Sequence, residues 1–217
     1  PVHQIRTIMT KIAILGATGH IAKGLIYELA LRGGRELLLY ARRPEAVTQF
    51  LAEQGISDTD IVVGDFASFG AVQCDAIVNA VGAGDPKAVR RLGADILGIT
   101  EQFDDMALDY IRRHPATRYI FLSSGAVYGA DCGDAYGQAK LAAERKHRAL
   151  GDLCIFDIRV FGYFSRFIDP TGEFFMAELA PAIAEKQVFE TNSGDMVRDY
   201  AVPYDLANLV EICAGTK

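Results

Sequence analysis

The sequence predicts an α/β fold built on a doubly wound parallel sheet. Short, β-rich apolar runs alternate with helix-forming stretches from residue 11 to residue 160, the pattern of a parallel sheet with helices on both faces. The first of these runs passes directly into a glycine-rich turn that opens a helix. The residues with chemistry to offer fall just after the strands, at the carboxyl edge where such sheets bind ligands.

Composition sets the outer bounds. The 217 residues suffice for one sizeable domain, or one domain and part of a second. Half are hydrophobic and 21 are glycine, which suits a compact α/β protein with tight turns. A net charge of -6 argues against broad attraction to nucleic acid. Cys74, Cys132, Cys154 and Cys213 are scattered with no C-x-x-C pair. They read as small residues of a reducing compartment, and no metal site is expected. No apolar run approaches the ~20 residues of a membrane span, and no signal-peptide pattern opens the chain. Residues 1–10 read as an irregular lead-in. The expectation is a soluble, cytoplasmic protein with neither nucleic-acid nor membrane partners.

Residues 11–15, Lys-Ile-Ala-Ile-Leu, form the first strand, followed at once by Gly16-Ala-Thr-Gly-His-Ile-Ala22 and an apolar-periodic helix to about Leu31. This is a G-x-x-G-x-x-G/A spacing with Ala22 in the third place. Gly16 permits the tight turn, Gly19 lets backbone amides approach a pyrophosphate, and the helix N-terminus favours the anion. Its strand–turn–helix context makes dinucleotide binding the expectation, with Thr18, His20 and Ile21 as further contacts; a turn without ligand is the alternative.

Residues 36–41 form the second strand. An NAD-preferring site places an acidic residue near its end for the ribose 2′-hydroxyl, where this chain has Arg42-Arg43-Pro44. Guanidinium groups can bind a 2′-phosphate with paired hydrogen bonds, so NADP(H) is preferred over NAD(H), which stays possible. A solvated arginine pair is the bland reading. Residues 60–64 give the third strand; Asp65 after it could meet the adenine amino group or cap a turn, with Phe66 beside it. Residues 75–81 give the fourth, and Ala80, Val81, Gly82 and Gly84 offer small residues against which a cofactor could lie. A helix follows from about residue 87 to 114, bent near Gly98.

The stretch 118–140, RYIFLSSGAVYGADCGDAYGQAK, organises the rest. Its buried-strand run ends in Ser123 and Ser124. Tyr136 comes twelve residues after Ser124, and Lys140 four after Tyr136, in a segment rich in helix formers. Residues four apart share a helix face, which sets the ammonium beside the phenol. A phenol titrates near ~10 and becomes useful when a cation stabilises its anion. A serine hydroxyl at a neighbouring strand end could bond the oxygen being converted, and the set suits proton transfer between carbonyl and alcohol. A chance surface pair and a serine cap are the bland readings. Residues 153–160 form the sixth strand, running into Phe161-Gly162-Tyr163. Beyond it, around 174–179 and 187–190, short helix and strand patterns alternate before a last helix that follows residues 198–205.

On these residues the chain resembles the extended short-chain dehydrogenase/reductase family, the NAD(P)-dependent epimerases, dehydratases and reductases of nucleotide sugars. The resemblance covers nearly the whole chain. It rests on GATGHIA at 16–22, Asp65, SSGAVYG at 123–129, YGQAK at 136–140, Arg159 with Gly162, and RDYAVPYDLA at 198–207. It implies a Rossmann-type doubly wound parallel sheet with a small C-terminal substrate-binding lobe. It also implies that Tyr136 is the acid/base, that Lys140 lowers its pKa and holds the nicotinamide ribose, and that Ser124 bonds the substrate oxygen. Ser124 fits better than Ser123 because it stands four residues before Tyr128, as in the family's Ser-x-x-x-Tyr-Gly. Phe161 to Tyr163 would lie near the nicotinamide, with Tyr163 reaching the substrate, and Arg198 resembles the arginine that meets the substrate diphosphate.

The departures sharpen the expectation. Gly125-Ala126 stand where the family's 4,6-dehydratases carry an Asp-Glu pair, which disfavours dehydration. Arg42 and Arg43 favour an exchangeable NADPH and hence net reduction. The family's helix asparagine appears as Asp95 before Gly98, and the spacing from Ser124 to Tyr136 is short. Family members usually run well beyond 217 residues. Residues 1–160 are therefore expected to form the dinucleotide-binding domain, and 161–217 a small or incomplete substrate lobe partly merged with it. The expected function is NADPH-dependent reduction of a 4-keto nucleotide sugar. The alternatives are an epimerase with retained NAD and a non-catalytic dinucleotide-binding regulator. A homodimer is common in proteins resembling this one.

Overall fold

The computed structural model describes residues 10–57, 59–82, 86–93, 95–132, 134–191, 194–195 and 197–215, with backbone alone at 86–88 and 130–132. The lead-in expected over residues 1–10, apart from Thr10, lies outside them, as does Gly84. Six strands, β1 (Thr10–Leu15), β2 (Arg35–Tyr40), β3 (Ile61–Gly64), β4 (Ala76–Asn79), β5 (Arg118–Ser124) and β6 (Ile155–Val160), form one sheet in the order β3-β2-β1-β4-β5-β6. Every pairing is parallel. The chain winds outward from β1 in both directions, so this is the expected Rossmann-type sheet.

Alternation along the strands divides the core. Ile12 and Ile14 of β1, Leu37 and Leu39 of β2, and Ile120 and Leu122 of β5 face one side. There they meet α1 (His20–Arg32), α2 (Pro44–Glu53) and α7 (Pro203–Gly215) through Leu25, Ile26, Val47, Phe50, Leu206 and Val210. The intervening Ala13, Leu15, Leu38, Tyr40, Tyr119 and Phe121 face the other side, against α4 (Asp95–Arg113) and α5 (Ala135–Arg148). Burial on both faces is why the inner strands β1, β2, β4 and β5 read as continuous apolar runs rather than alternating ones. The last helix thus packs on the first: Glu211 of α7 pairs with Arg32 at 2.6 Å and with Arg35.

Three boundaries differ from expectation. The helix expected over 87–114 is two helices, α3 (Pro86–Leu92) and α4. The break sits at Gly93 rather than Gly98, because Gly93 takes φ +52, which glycine adopts at little cost, whereas Gly98 continues α4. β4 ends at Asn79, so Ala80 to Gly82 are already loop. Near the end, α6 (Phe175–Ala184) forms, but 187–190 carry no regular structure. Among the described residues no helix is long and apolar enough to cross a membrane.

Candidate active site

The loops after β1, β4, β5 and β6 meet at the carboxyl edge of the sheet around a cavity of about 410 Å³. Gly19 to Ile21 and Ala80 to Gly82 line one part of it, and Ser124, Tyr136 and Lys140 another. Phe161, Tyr163 and the later segments carrying Phe174, Phe175 and Arg198 close the far side.

The glycine turn is built as its spacing requires. Gly16 has φ +83, and a Cβ there would stand 3.0 Å from the Val81 nitrogen, so only glycine lets the β1 and β4 loops close together. The Gly16 and Ala17 amides donate to the Tyr40 carbonyl at 2.9 and 3.0 Å, pinning the turn to β2. Gly19 is the N-cap of α1 and offers no side-chain acceptor. Among the described residues no side-chain cap takes the first amides of α1. Thr18 and Gly19 are exposed in front of them. An uncapped helix start behind a glycine turn is the donor set that fits a pyrophosphate.

Asp134 starts α5 by accepting from the Tyr136 and Gly137 amides, both at 3.1 Å, which sets Tyr136 in the first turn. Gly137 has no room for a side chain: a Cβ would lie 2.5 Å from the Ala126 carbonyl oxygen. The 3-10 segment Gly125–Cys132 after β5 can therefore press against α5 and bring Ser124 to Tyr136. Lys140 is buried, and its ammonium donates to the Leu122 carbonyl at 2.8 Å and the Val81 carbonyl at 3.5 Å. It stands 5.8 Å from the centre of the Tyr136 ring and 4.3 Å from that of Phe121. Gly82 faces this pair, a Cβ there lying 3.4 Å from Lys140 Nζ.

The electrostatics correct one expectation. Burial raises Tyr136 above the ordinary phenol value, the Ser124 hydroxyl beside it lowers it, and Asp134 raises it again. The net direction is upward, so in the protein alone Lys140 does not bring the phenol down. The reason is that Lys140 is itself desolvated, to about 8, and turns its ammonium to main-chain carbonyls. Tyr136 therefore keeps its proton at neutral pH.

Of the two serines, Ser123 is committed elsewhere. Its hydroxyl donates to buried Glu144 at 2.6 Å, and Glu144 also takes Arg159 Nε at 2.9 Å and Nη2 at 2.5 Å. Those bonds to Arg159, with that of Ser123, hold the Glu144 carboxyl below its usual value against the cost of burial. Ser124 Oγ accepts the Ala126 amide at 3.2 Å and faces the cavity.

The remaining predicted residues divide. Arg42 and Arg43 are exposed directly after β2, and Asp65 directly after β3. One Asp65 oxygen accepts the Ser68 amide at 2.9 Å, the capping role weighed for it. Phe66 turns its ring into the core against Phe103 of α4, centres 4.4 Å apart, so its side chain is not at the groove. Asp95 is exposed in the first turn of α4. Phe161 stacks on Tyr128 at the cavity mouth, 5.7 Å between centres. Tyr163 presents its ring to the cavity, while its hydroxyl donates back to the Ile21 carbonyl at 3.4 Å. Arg198 lies over the Phe175 ring at 5.3 Å. Sequence reasoning missed Asp134, although an aspartate just before a helix is a recognisable cap, and missed Phe174 to Met176, which carry no motif.

A parallel sheet of this order flanked by helices on both faces is a Rossmann-type α/β architecture. The profile of the NAD-dependent epimerase/dehydratase family matches residues 12–215. The chain belongs to that family. No curated protein sequence matches it. Among solved structures it is similar to UDP-glucose 4-epimerase from Thermotoga maritima bound to UDP-glucose. That match has a TM-score of 0.75 and 15% identity, covering 94% of this chain and 72% of that one. It is also similar to UDP-glucose 4-epimerase from Bifidobacterium longum in complex with NAD+ and UDP, with a TM-score of 0.68 and 19% identity over 92% and 72%. A thiolation-reductase di-domain from an archaeal non-ribosomal peptide synthetase matches with a TM-score of 0.65 and 15% identity. There 82% of this chain is covered, and the chain spans 59% of the di-domain.

Proposed function

We propose that the protein is an NADPH-dependent reductase of a 4-keto nucleotide sugar, acting in the cytoplasm through Ser124, Tyr136 and Lys140. The observation that carries this reading is the meeting of those three side chains with the glycine turn around one cavity. The residues that would hold the cofactor are Gly16, Thr18, Gly19, His20 and Ile21 at the pyrophosphate, and Arg42 and Arg43 at a 2′-phosphate. Asp65 and the Phe66 backbone would serve the adenine end, and Ala80, Val81, Gly82 and Phe161 the nicotinamide end. A bound nicotinamide supplies a hydride for the keto carbon. Tyr136 holds its proton at neutral pH and delivers it to the keto oxygen, which completes the alcohol. Ser124, adjacent to the phenol, holds that oxygen in place. Lys140 balances the phenolate left behind, and Arg198 serves the substrate diphosphate. Residues 161–217 form the substrate lobe, with α7 merged into the first domain.

The family's description as NAD-dependent favours a second reading, an epimerase with retained NAD. Incubation with NADPH and a 4-keto nucleotide sugar separates the two. Stoichiometric NADPH oxidation with formation of the hydroxy sugar supports the reductase; isomerised sugar without net NADPH loss supports the epimerase.

A further inference from the structure

His147 lies seven residues beyond Lys140 on α5, on the same helix face. It is buried among charges that the proposed chemistry does not use. Its Nε2 meets Asp104 Oδ1 of α4 at 2.7 Å, and its Nδ1 meets Asp157 Oδ1 of β6 at 2.6 Å. A carboxylate only accepts, so both ring nitrogens carry protons and His147 is an imidazolium. Asp104 Oδ1 also accepts the Tyr119 hydroxyl at 2.9 Å, and that oxygen accepts Asn79 Nδ2 at 2.9 Å. Asn79 Oδ1 in turn accepts the Val81 amide at 3.0 Å. Among the described residues Asp104 Oδ2 makes no hydrogen bond, and the Lys146 ammonium lies 3.2 Å from it.

The network ends where Lys140 begins. Val81, held by Asn79 through its amide, offers its carbonyl to the Lys140 ammonium. The Phe121 ring touches both partners, 4.3 Å from Lys140 Nζ and 5.2 Å from the centre of the His147 ring. An ammonium enclosed with only carbonyl dipoles loses its proton readily, and a fixed negative charge across an apolar ring opposes that loss. We infer that Asp104, His147 and Asp157 are positioning residues that keep one net negative charge behind Lys140, and so set the pH to which the lysine stays charged.

Burial is what pushes Lys140 down, to about 8; Asp104 and Asp157 are the groups that hold it up. The other ionisable neighbours are matched. On α5, Tyr136 is protonated, and Glu144 is paired with Arg159 of β6 and with Arg148. Lys146 faces Asp104 and Asp105 of α4, and Tyr119 of β5 is held protonated by burial.

The inference rests on reading Lys140 as the cation of a Tyr-Lys site, and its test reads the lysine directly. Protein with labelled lysine side chains, Lys140 being assigned from Lys140→Met, is titrated by NMR. Asp104→Asn and Asp157→Asn should each lower the Lys140 midpoint by about one pH unit. Leu29→Ala, a cavity on the other face of the sheet, should destabilise the fold and leave the midpoint in place. Midpoints unmoved in both carboxamide variants, or moved equally by Leu29→Ala, overturn the inference. Midpoints that fall as expected in a protein without keto-sugar turnover support it and overturn only the substrate reading.

Discussion

Ser123 Oγ donates to Glu144 Oε1 at 2.6 Å, and this bond separates two adjacent serines into different tasks. Ser123 joins the half-buried Arg159 in holding the buried Glu144 carboxylate, while Ser124 is left to the cavity beside Tyr136. Ser123→Ala should therefore cost about 1–3 kcal/mol of stability, since it strips a partner from a buried carboxylate. Ser124→Ala should leave the denaturation midpoint nearly unchanged and lower turnover about a hundredfold. Parallel denaturant melts and turnover assays distinguish the two; equal effects would show that the serines are not divided in this way.

Tyr136→Phe removes the only proton that the proposed chemistry delivers. Turnover should fall about 10²- to 10⁴-fold, with dinucleotide affinity within a few-fold of the parent. Turnover rates with calorimetric titration check both halves. Retained turnover would refute the assignment.

Gly137→Ala drives a methyl group into the Ala126 carbonyl, which is backbone and cannot swing aside. The 3-10 segment must shift, at a cost of about 1–3 kcal/mol. Asp134→Ala leaves the Tyr136 and Gly137 amides uncapped and should cost about 1 kcal/mol. Both should lower turnover by more than their stability loss explains, because each displaces Tyr136 from Ser124. Assays well below the melting temperature test this.

Stability should fall on the alkaline side of neutrality. Burial works against the charge on His147, but Asp104 and Asp157 outweigh it and raise the imidazole to about 9. Its contribution is complete below the unfolded value near ~6.5 and is lost as pH rises through about 9. Lys140, lowered to about 8, acts oppositely, its burial cost easing as pH rises from about 8 towards the unfolded value. Between pH ~6.5 and ~8 the His147 loss dominates and should be on the order of 2 kcal/mol. Denaturant melts across that window should slope downward in the parent chain and flatten in His147→Gln.

The four inner strands were legible because their apolar runs are buried on both faces, and the partly buried edge strands β3 and β6 because short β-rich runs mark them as well. Gly16 was legible because a turn at positive φ against the β4 loop leaves only one residue type. Tyr136 and Lys140 were legible from helical spacing alone, but their electrostatics were not: the Leu122 carbonyl that takes the ammonium is a backbone group that any residue supplies. Nor could the sequence choose Gly93 over Gly98 as the helix break, since both are glycines and only the backbone angle separates them. The Phe66 ring turning to Phe103, and the Tyr163 hydroxyl turning to Ile21, are contacts between distant segments that no local pattern encodes. The Asp104–His147–Asp157 group gathers three elements in the same way.

In the proposed function the glycine turn and the Tyr-Lys pair hold an exchangeable NADPH. Calorimetric titration of cofactor-stripped protein with NADPH and NADH tests it most directly. NADPH should bind more tightly than NADH, with the preference lost in Arg42→Ala or Arg43→Ala. Equal or tighter binding of NADH, or protein that cannot be stripped of NAD, would contradict the reductase; binding of neither would contradict the cofactor site itself.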